Sequence, residues 1–288
     1  MKRQKIDLHI HTLYSDGMSE PADIVECAAE QDYDLIAITD HDGIGGISEA
    51  QEAGRRLGLR VISGIELATE NRDGIGFHIL GYDFDTSDED MLAAIEELKQ
   101  YREERNIALV KAMNELGCEI TMEELRERQP HGYIGKPVIA RLLAEKGYIA
   151  DHHDAYIPGQ FLESPEARSV KRRKISTEDS IKLIRNAGGI AVMAHPIQTK
   201  GIGTPGTEDF YRNISSIIAE LKAQGLDGLE CYHPDQNAGQ TRRFISIARG
   251  YGLKITRGSD FHGPDYMDAD KTADPEETGD PQLIQFGE

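Results

Sequence analysis

Two histidines, His9 and His11, lie two residues apart in a short alternating segment near the start of the sequence. In Ile6-Asp7-Leu8-His9-Ile10-His11, apolar side chains would occupy one face of a strand and polar side chains the other. Imidazoles two residues apart on a strand point the same way, about 7 Å apart, which is a common arrangement for metal ligands. Taken alone, the pattern also fits two surface histidines on a half-buried strand.

Further acids and imidazoles lie in or just after other apolar segments. They are found in Thr39-Asp40-His41-Asp42, Gly64-Ile65-Glu66, at His78, in Ala194-His195-Pro196 and in Gly258-Ser259-Asp260-Phe261-His262-Gly263. Barrel enzymes place their active sites at the carboxyl ends of parallel strands, so we expect these side chains to share one metal site. A solvent-exposed face would not repeat the pattern at so many equivalent positions.

Seven segments are predicted as strands because they are short, rich in Ile, Val and Leu, and bounded by Gly, Asp or Asn. They are residues 5–10, 34–39, 60–66, 76–82, 189–195, 227–232 and 253–258. Helical patterns separate several of them, at 24–29, 47–57, 177–186, 207–224 and 240–251. This alternation predicts a parallel α/β sheet or barrel. The turn signal Asp73-Gly74 leaves open a hairpin between the third and fourth strands.

The alternation is interrupted between residues 87 and 166. Helical patterns at 91–116 and 137–146 occur there without a strand-like segment, and the stretch is too long for an ordinary connection. We therefore predict a discontinuous barrel domain, residues 1–86 and 167–263, with a helical insert at 87–166. Residues 264–288 are rich in acids and poor in apolar side chains, which predicts a loosely ordered acidic tail.

The acidic composition restricts the class of partner. The 288 residues include 51 Asp and Glu against 32 Lys and Arg, a formal net charge of −19. This surplus disfavours binding to duplex nucleic acid or to an anionic membrane, because both require clustered Lys and Arg. No signal peptide, membrane-spanning run or disulfide framework is indicated, so we expect a cytoplasmic protein. Its oligomeric state is not indicated by the sequence.

The ordered motifs resemble those of the PHP (polymerase and histidinol phosphatase) family of metal-dependent phosphoesterases. The matching residues are Asp7-Leu8-His9-Ile10-His11 with Ser15-Asp16-Gly17, Thr39-Asp40-His41, Gly64-Ile65-Glu66, His78, His195-Pro196 and Ser259-Asp260-Phe261-His262. The resemblance covers nearly the whole chain and implies a distorted seven-stranded (β/α)7 barrel. The insert is most similar to that of the family branch acting on small nucleotides.

The resemblance implies two or three divalent metal ions bound by nine side chains. One ion would bind His9, His11, Glu66 and Asp260, a second would share Glu66 with His78 and His195, and a third would bind Asp16, His41 and His262. Mixed imidazole and carboxylate ligands suit Mn, Fe or Zn better than Mg or Ca. Some relatives carry His where this sequence has Asp16, which weakens the case for the third ion. Asp7 and Asp40, the latter counted as catalytic, are expected to orient imidazoles by hydrogen bonds.

Such a cluster predicts hydrolysis of a phosphate ester. A water between two ions has a lowered pKa, so hydroxide is available near neutral pH to attack phosphorus, and no protein nucleophile is required. The ions also neutralise charge on the phosphate oxygens. His233, at the end of the sixth predicted strand, is a candidate proton donor or phosphate contact. A solvent-exposed loop histidine is the alternative for this position.

Basic residues in and after the insert are candidate substrate ligands. Lys136 precedes a proline that can begin a helix, so it would lie near a positive helix end suited to phosphate. Arg141, one turn further, could contact a second phosphate. Arg173 belongs to the run Lys171-Arg172-Arg173-Lys174, for which a solvent-exposed basic loop is the alternative.

The expected reaction is hydrolysis of a nucleoside 3′,5′-bisphosphate to the 5′-monophosphate. A 5′-3′ exonuclease acting on short RNA is the near alternative, and a histidinol-phosphate phosphatase is a more distant one. An amide or ring hydrolase is also open, since a metal hydroxide can attack a carbonyl carbon. The alternative of a different class is a non-catalytic metal-binding module.

Overall fold

The computed structural model of the protein describes residues 4–129, 131–263, 284 and 286. Each predicted strand segment contains a strand, and the third contains two. The strands are β1 (Ile6–Ile10), β2 (Leu35–Ile38), β3 (Arg60–Ile62), β4 (Gly64–Glu70), β5 (Gly76–Tyr82), β6 (Ile175–Ser176), β7 (Ile190–Met193), β8 (Gly228–Tyr232) and β9 (Lys254–Arg257). The short strand β6 was not predicted.

The helices follow the predicted pattern closely. They are α1 (Pro21–Glu30), α2 (Ile47–Leu57), α3 (Glu89–Glu115), α4 (Met122–Glu127), α5 (Lys136–Glu145), α6 (Pro165–Ser169), α7 (Thr177–Asn186), α8 (Glu208–Ala223) and α9 (Ala238–Gly250). Among the residues that the structure describes, no helix is both long and apolar enough to cross a membrane.

The strands form two sheets, one parallel and one of mixed direction. One is a parallel sheet of order β1-β2-β3, and the other has the order β6-β4-β5-β7-β8-β9. Strand β5 runs antiparallel to both β4 and β7, so a wholly parallel sheet is the wrong expectation at this strand. The connection from β4 to β5 is a tight turn, because Asn71 Oδ1 accepts hydrogen bonds from the N–H groups of Asp73 and Ile75. The hairpin left open by the sequence is therefore the observed connection.

Two isolated bridges link the two sheets in the described part of the chain. An isolated parallel bridge joins Ile10 to Phe261 beyond β9, and another joins His41 to Glu66. The N–H of His11 donates to the carbonyl oxygen of Phe261 at 2.8 Å. The structure thus shows a mixed α/β fold with a sheet-rich core, and the distorted seven-stranded (β/α)7 barrel implied by the resemblance stays a prediction. The second bridge joins two predicted metal ligands, and the residues of the first are direct sequence neighbours of others.

Apolar side chains fill the space between the sheets. Leu8, Leu80 and Val192 are fully buried there, and Ile284 joins the same cluster. The N–H of Ile284 donates to the carbonyl oxygen of Ile255 at 3.0 Å, so this residue is fixed against β9. Apart from residues 284 and 286, the predicted acidic tail lies outside the described residues.

Helix α3 connects this core to a second one in the region predicted as an insert. Near its start, Met91 and Ile95 pack in the same cluster as residues of β4, β5 and β7. Further along, Leu109 and Met113 pack with residues up to Ala167 in a separate hydrophobic cluster. The middle of α3 therefore passes between the two cores, and this part of the helix borders the candidate site.

Candidate metal centre

The nine side chains predicted as metal ligands converge in one cluster. His9 lies on β1 and His11 just after it, Asp16 lies in the following loop, His41 follows β2, Glu66 lies on β4, His78 on β5, His195 follows β7, and Asp260 and His262 follow β9. Successive strands therefore deliver these side chains to one end of the sheets, as expected from the sequence.

Glu66 lies at the centre of the cluster and is fully buried. Its Oε1 is 2.9 Å from both His78 Nδ1 and His195 Nε2. Its Oε2 is 2.7 Å from His41 Nδ1 and 3.4 Å from His11 Nε2. Burial alone would raise the pKa of Glu66, but the neighbouring imidazoles, above all His41 and His78, hold it well below its usual range. One ionised carboxylate therefore faces several imidazoles, as a bridging ligand would.

Asp260 provides a second carboxylate between the two histidines of β1. Its Oδ1 lies 3.1 Å from His11 Nε2 and 3.3 Å from His9 Nε2. Burial opposes ionisation of Asp260, yet these two histidines keep its pKa well below the usual value. For His11, burial and the neighbouring His262 and His41 lower the pKa to about 4, so this imidazole is neutral and can act as a ligand at neutral pH.

Asp16 forms the third part of the cluster. Its Oδ1 lies 3.4 Å from His262 Nε2, and its Oδ2 lies 3.7 Å from His41 Nε2. The loop turns back tightly here, because a Cβ atom on Gly17 would lie 2.4 Å from the carbonyl oxygen of His11. Glycine at this position therefore allows Asp16 to face the histidines.

Several buried ligand atoms lie close to other ligand atoms of the cluster but form no hydrogen bond of acceptable geometry within the described residues. They are His9 Nε2, His11 Nε2, Asp16 Oδ1, His41 Nδ1 and Glu66 Oε2. Buried polar atoms are nearly always hydrogen bonded, so such a concentration at one place fits ligands arranged to bind cations. Sets of three or four ligand atoms, each within 4.8 Å of one another, are His9–His11–Glu66, His9–His195–Asp260, His41–Glu66–His78 and His11–Asp16–His41–His262. The residues fit a cluster of divalent ions with mixed imidazole and carboxylate ligands.

Glu230 on β8 supports this cluster and was not identified from the sequence. The side chain is fully buried, with Oε1 3.0 Å from His9 Nδ1 and Oε2 accepting from the backbone N–H of His195 at 2.7 Å. An ionised carboxylate only accepts hydrogen bonds, so Glu230 holds a proton on Nδ1 of His9 and leaves Nε2 as the nitrogen that would bind a metal ion. The sequence feature that could have identified Glu230 is its position as an acid inside the apolar segment Gly228–Tyr232.

Asp40 supports the loop after β1 rather than an imidazole, which corrects its predicted role. Its carboxylate accepts hydrogen bonds from the N–H of Thr12 at 2.8 Å, from the hydroxyl of Thr12 at 2.7 Å and from the hydroxyl of Ser15. The hydroxyl of Ser15 in turn lies 3.4 Å from His11 Nδ1. Asp40 therefore positions the loop that carries Asp16, and its oxygens are already occupied.

Asp7 likewise binds backbone groups rather than an imidazole. Its Oδ1 accepts from the N–H of His9 at 3.2 Å and of Ser259 at 2.9 Å. This contact draws the segment after β9 onto β1, and the preceding Gly258 makes the approach sterically feasible. A Cβ atom at Gly258 would lie 2.1 Å from His9 Cβ and 2.6 Å from Glu230 Oε1.

His233 is buried, with 2% of its surface exposed, so the alternative of a solvent-exposed loop histidine is wrong. Its Nδ1 accepts a hydrogen bond from the N–H of Asp235 at 3.1 Å. The proton of the neutral ring therefore resides on Nε2, which lies 3.3 Å from Asp260 Oδ2. This arrangement makes His233 a donor to a metal-ligand candidate. Its predicted contact with substrate stays a prediction.

A cavity of about 210 Å³ adjoins the cluster. Asp16, His41 and His78 border it on one side, while Arg102, Arg105, Lys136 and Arg172 also face it. A larger groove of about 600 Å³ runs between α8 and α9, but none of the clustered histidines and acids lines it. The smaller cavity is therefore the one that combines metal ligands with basic side chains.

The predicted basic contacts are only partly found at this cavity. Lys136 begins α5 and borders the cavity, whereas Arg141 is half-buried on the same helix and does not border it. Arg173 lies outside the cavity and is 62% exposed, with its guanidinium 2.7 Å from Glu104 and 3.9 Å above the ring of Tyr101. The preceding residue in the sequence, Arg172, faces the cavity instead.

Comparison with known proteins agrees with the geometry. The sequence matches the PHP domain family over residues 7–223. It is 30% identical over 261 residues to a 5′-3′ exoribonuclease from Haemophilus influenzae, covering 91% of each chain. It is 29% identical over 262 residues to a 3′,5′-nucleoside bisphosphate phosphatase from Chromobacterium violaceum, covering 90% of this chain and 87% of that one.

A solved structure from Bifidobacterium adolescentis, described as a metal-dependent phosphoesterase, has a similar fold. It superposes with a TM-score of 0.77 at 29% identity, covering 90% of this chain and 88% of the other. The family match spans most of the sequence and includes seven of the nine clustered ligand candidates, from His9 to His195. The chain therefore belongs to the PHP domain family and is a metal-dependent phosphoesterase.

Proposed function

We propose that this phosphoesterase acts on a small nucleotide carrying two phosphates, and that it hydrolyses a nucleoside 3′,5′-bisphosphate to the 5′-monophosphate. The main support is that metal-ligand candidates and four basic side chains border the same cavity. A phosphate at the metal cluster would undergo hydrolysis while a second phosphate contacts the basic side. The name of the relative from C. violaceum specifies a substrate of this type.

Divalent ions in the cluster would polarise the phosphate ester and lower the pKa of a bound water. The residues of the chain orient the ligands and hold the substrate. Glu230 fixes His9, and His233 donates a hydrogen bond to Asp260. Lys136 faces the cavity and can form a charge-assisted hydrogen bond to a phosphate oxygen.

The size of the cavity favours a small substrate or the end of a longer one. A volume of about 210 Å³ is below the roughly 300–1,000 Å³ usual for ligand pockets, so it accommodates part of a nucleotide. An internal segment of RNA would not fit in this space, whereas a chain end could enter. Removal of nucleotides from the 5′ end of short RNA is therefore the second candidate, and the relative from H. influenzae bears the name of that activity.

A phosphate-release screen with Mn, Fe or Zn tests the proposal. Adenosine 3′,5′-bisphosphate should yield phosphate and adenosine 5′-monophosphate, with histidinol phosphate and a 5′-phosphorylated short RNA as competing substrates. His11→Ala should abolish release, whereas His153→Ala, an exposed histidine of the insert, should not. Equal activity of His11→Ala and the wild type would contradict the metal mechanism. Preferential shortening of the RNA would instead support the exoribonuclease.

A further inference from the structure

Asp42 connects the metal-ligand cluster to two arginines from distant parts of the chain. The carboxylate is buried, and its Oδ1 accepts a hydrogen bond from the N–H of Ala68 at 3.0 Å. Its Oδ2 contacts the guanidiniums of Arg102 on α3 and of Arg172, the latter at 2.6 Å. The N–H of Asp42 also donates to the carbonyl oxygen of Glu66 at 2.9 Å. Asp42 is thus fixed to β4 while it holds both arginines.

Arg105, one turn after Arg102 on α3, adds a third guanidinium at this place. The structure records no ion pair for Arg105 within the described ranges. Its Nη2 donates to the carbonyl oxygen of Ile134 at 3.4 Å, and its Nε is buried without a hydrogen-bond partner. Burial, followed by the charges of Arg102 and Arg172, lowers the pKa of Arg105 to about 10, so the group still carries its charge at neutral pH. A largely buried charge of this kind is stabilised by an anion.

The charges at the cavity leave a positive excess beside the metal ligands. Arg102, Arg105, Arg172 and Lys136 contribute four positive charges, and the two carboxylates at the cavity, those of Asp16 and Asp42, offset two of them. The ring of Tyr133 lies 3.9 Å from the guanidinium of Arg102. On its other side, the same ring stacks near His41, with centroids 6.1 Å apart. The arginine group is therefore held at a fixed position relative to the metal ligands.

We propose that Asp42 is a positioning residue that holds Arg102 and Arg172 beside Arg105 as a binding site for the phosphate that is not hydrolysed. This inference rests on the proposed function and names the part of the site that selects substrates with two phosphates. One carboxylate can orient two guanidiniums through directed hydrogen bonds without cancelling all three charges. In its absence, the arginines would repel one another and lose their common orientation.

Kinetics with one- and two-phosphate substrates test this role. For adenosine 3′,5′-bisphosphate, Arg172→Ala and Asp42→Asn should each raise KM about tenfold or more, the loss expected for a hydrogen bond to a charged group. For adenosine 3′-monophosphate, KM should change less than about threefold, and metal content should match the wild type. Arg173→Ala removes the same charge one residue away, outside the cavity, and should leave both KM values unchanged.

The outcomes separate this inference from the proposed function. Equal increases in KM for both substrates, or no increase for the bisphosphate, would overturn the positioning role. Partial recovery in Arg172→Lys would support it, since lysine restores the charge but not the forked geometry. If the wild type does not hydrolyse the bisphosphate, the proposed function fails. Calorimetric binding of adenosine 5′-monophosphate then tests the anion site alone: loss in Arg172→Ala but not in Arg173→Ala supports it, and equal binding in all three proteins overturns it.

Discussion

Replacing Glu230 by glutamine tests whether this buried carboxylate determines the orientation of the metal ligands. In the native protein, Oε1 faces the protonated Nδ1 of His9, and Oε2 accepts from the backbone N–H of His195. Both side-chain oxygens therefore act as acceptors. Glutamine has nearly the same shape, but one of its two terminal groups is an NH2 donor. One of the two native N–H groups must then face another donor.

The expected loss of metal affinity follows from the number and type of these contacts. A hydrogen bond to a charged group contributes about 1.5–3 kcal/mol, and about 1.4 kcal/mol corresponds to a factor of ten in an equilibrium constant. Loss of one such bond therefore weakens metal binding about 10–100-fold, which agrees with the usual effect of removing a partner of a metal-ligating histidine. His195 is also held at a φ of 22°, which is strained for a residue other than glycine.

Competition with a chromophoric chelator measures metal affinity directly, and phosphate release at increasing metal concentration measures its effect on activity. Glu230→Gln should require about 10–100-fold more free metal for half-maximal activity and should approach wild-type activity at saturation. Glu220→Gln, at an exposed position on α8, provides the matched control. A metal requirement identical to that of the wild type in a folded Glu230→Gln protein would refute the assigned role.

Two further changes test the cluster from other directions. Gly258→Ala should lower the melting temperature by about 2–12 °C, because its Cβ would lie 2.1 Å from that of His9 and overpacking costs about 1–3 kcal/mol. Gly250→Ala is the control and should not lower the melting temperature, because a Cβ atom there meets nothing within 4 Å. Equal melting temperatures of the two variants would contradict this reasoning. Exhaustive chelation should abolish phosphate release and lower the melting temperature, since buried ligand atoms lose their partner. Activity in protein shown to be metal-free would contradict the metal dependence.

The elements and the clustered side chains were accessible from the sequence because local patterns specify them. Helix α2 has the predicted bounds, and Gly58, at a φ of 72°, ends it in the left-handed conformation that glycine favours. Helix α7 also has the predicted bounds, and the side chain of Ser176 caps its first turn. Most ligand candidates lie in or just after predicted strands, so the strand pattern grouped them, whereas Asp16 in the loop after β1 was identified through the family resemblance.

The supporting contacts could not be predicted because they join residues distant in sequence. Glu230 and His9 are separated by 221 positions, and an acid in an apolar strand does not identify its partner. The predicted substrate contact, Arg173, and the arginine that faces the cavity, Arg172, are adjacent in the sequence. The chain is not helical at these positions, and successive side chains of an extended segment point to opposite sides. Composition indicates a basic run but not which of its members faces the cavity.

The path of α3 relates the choice of substrate to the region predicted as an insert. Arg102 and Arg105 lie between the part of the helix that packs on the sheets and the part that packs in the second core. The metal-ligand candidates lie on the sheet strands and the loops after them, so the two sides of the cavity are built by different parts of the chain. A change in the second core would displace these arginines without altering a metal ligand. We therefore propose that substitutions in this region change the choice of substrate while the metal ligands stay the same, with the charge on α3 favouring a second phosphate.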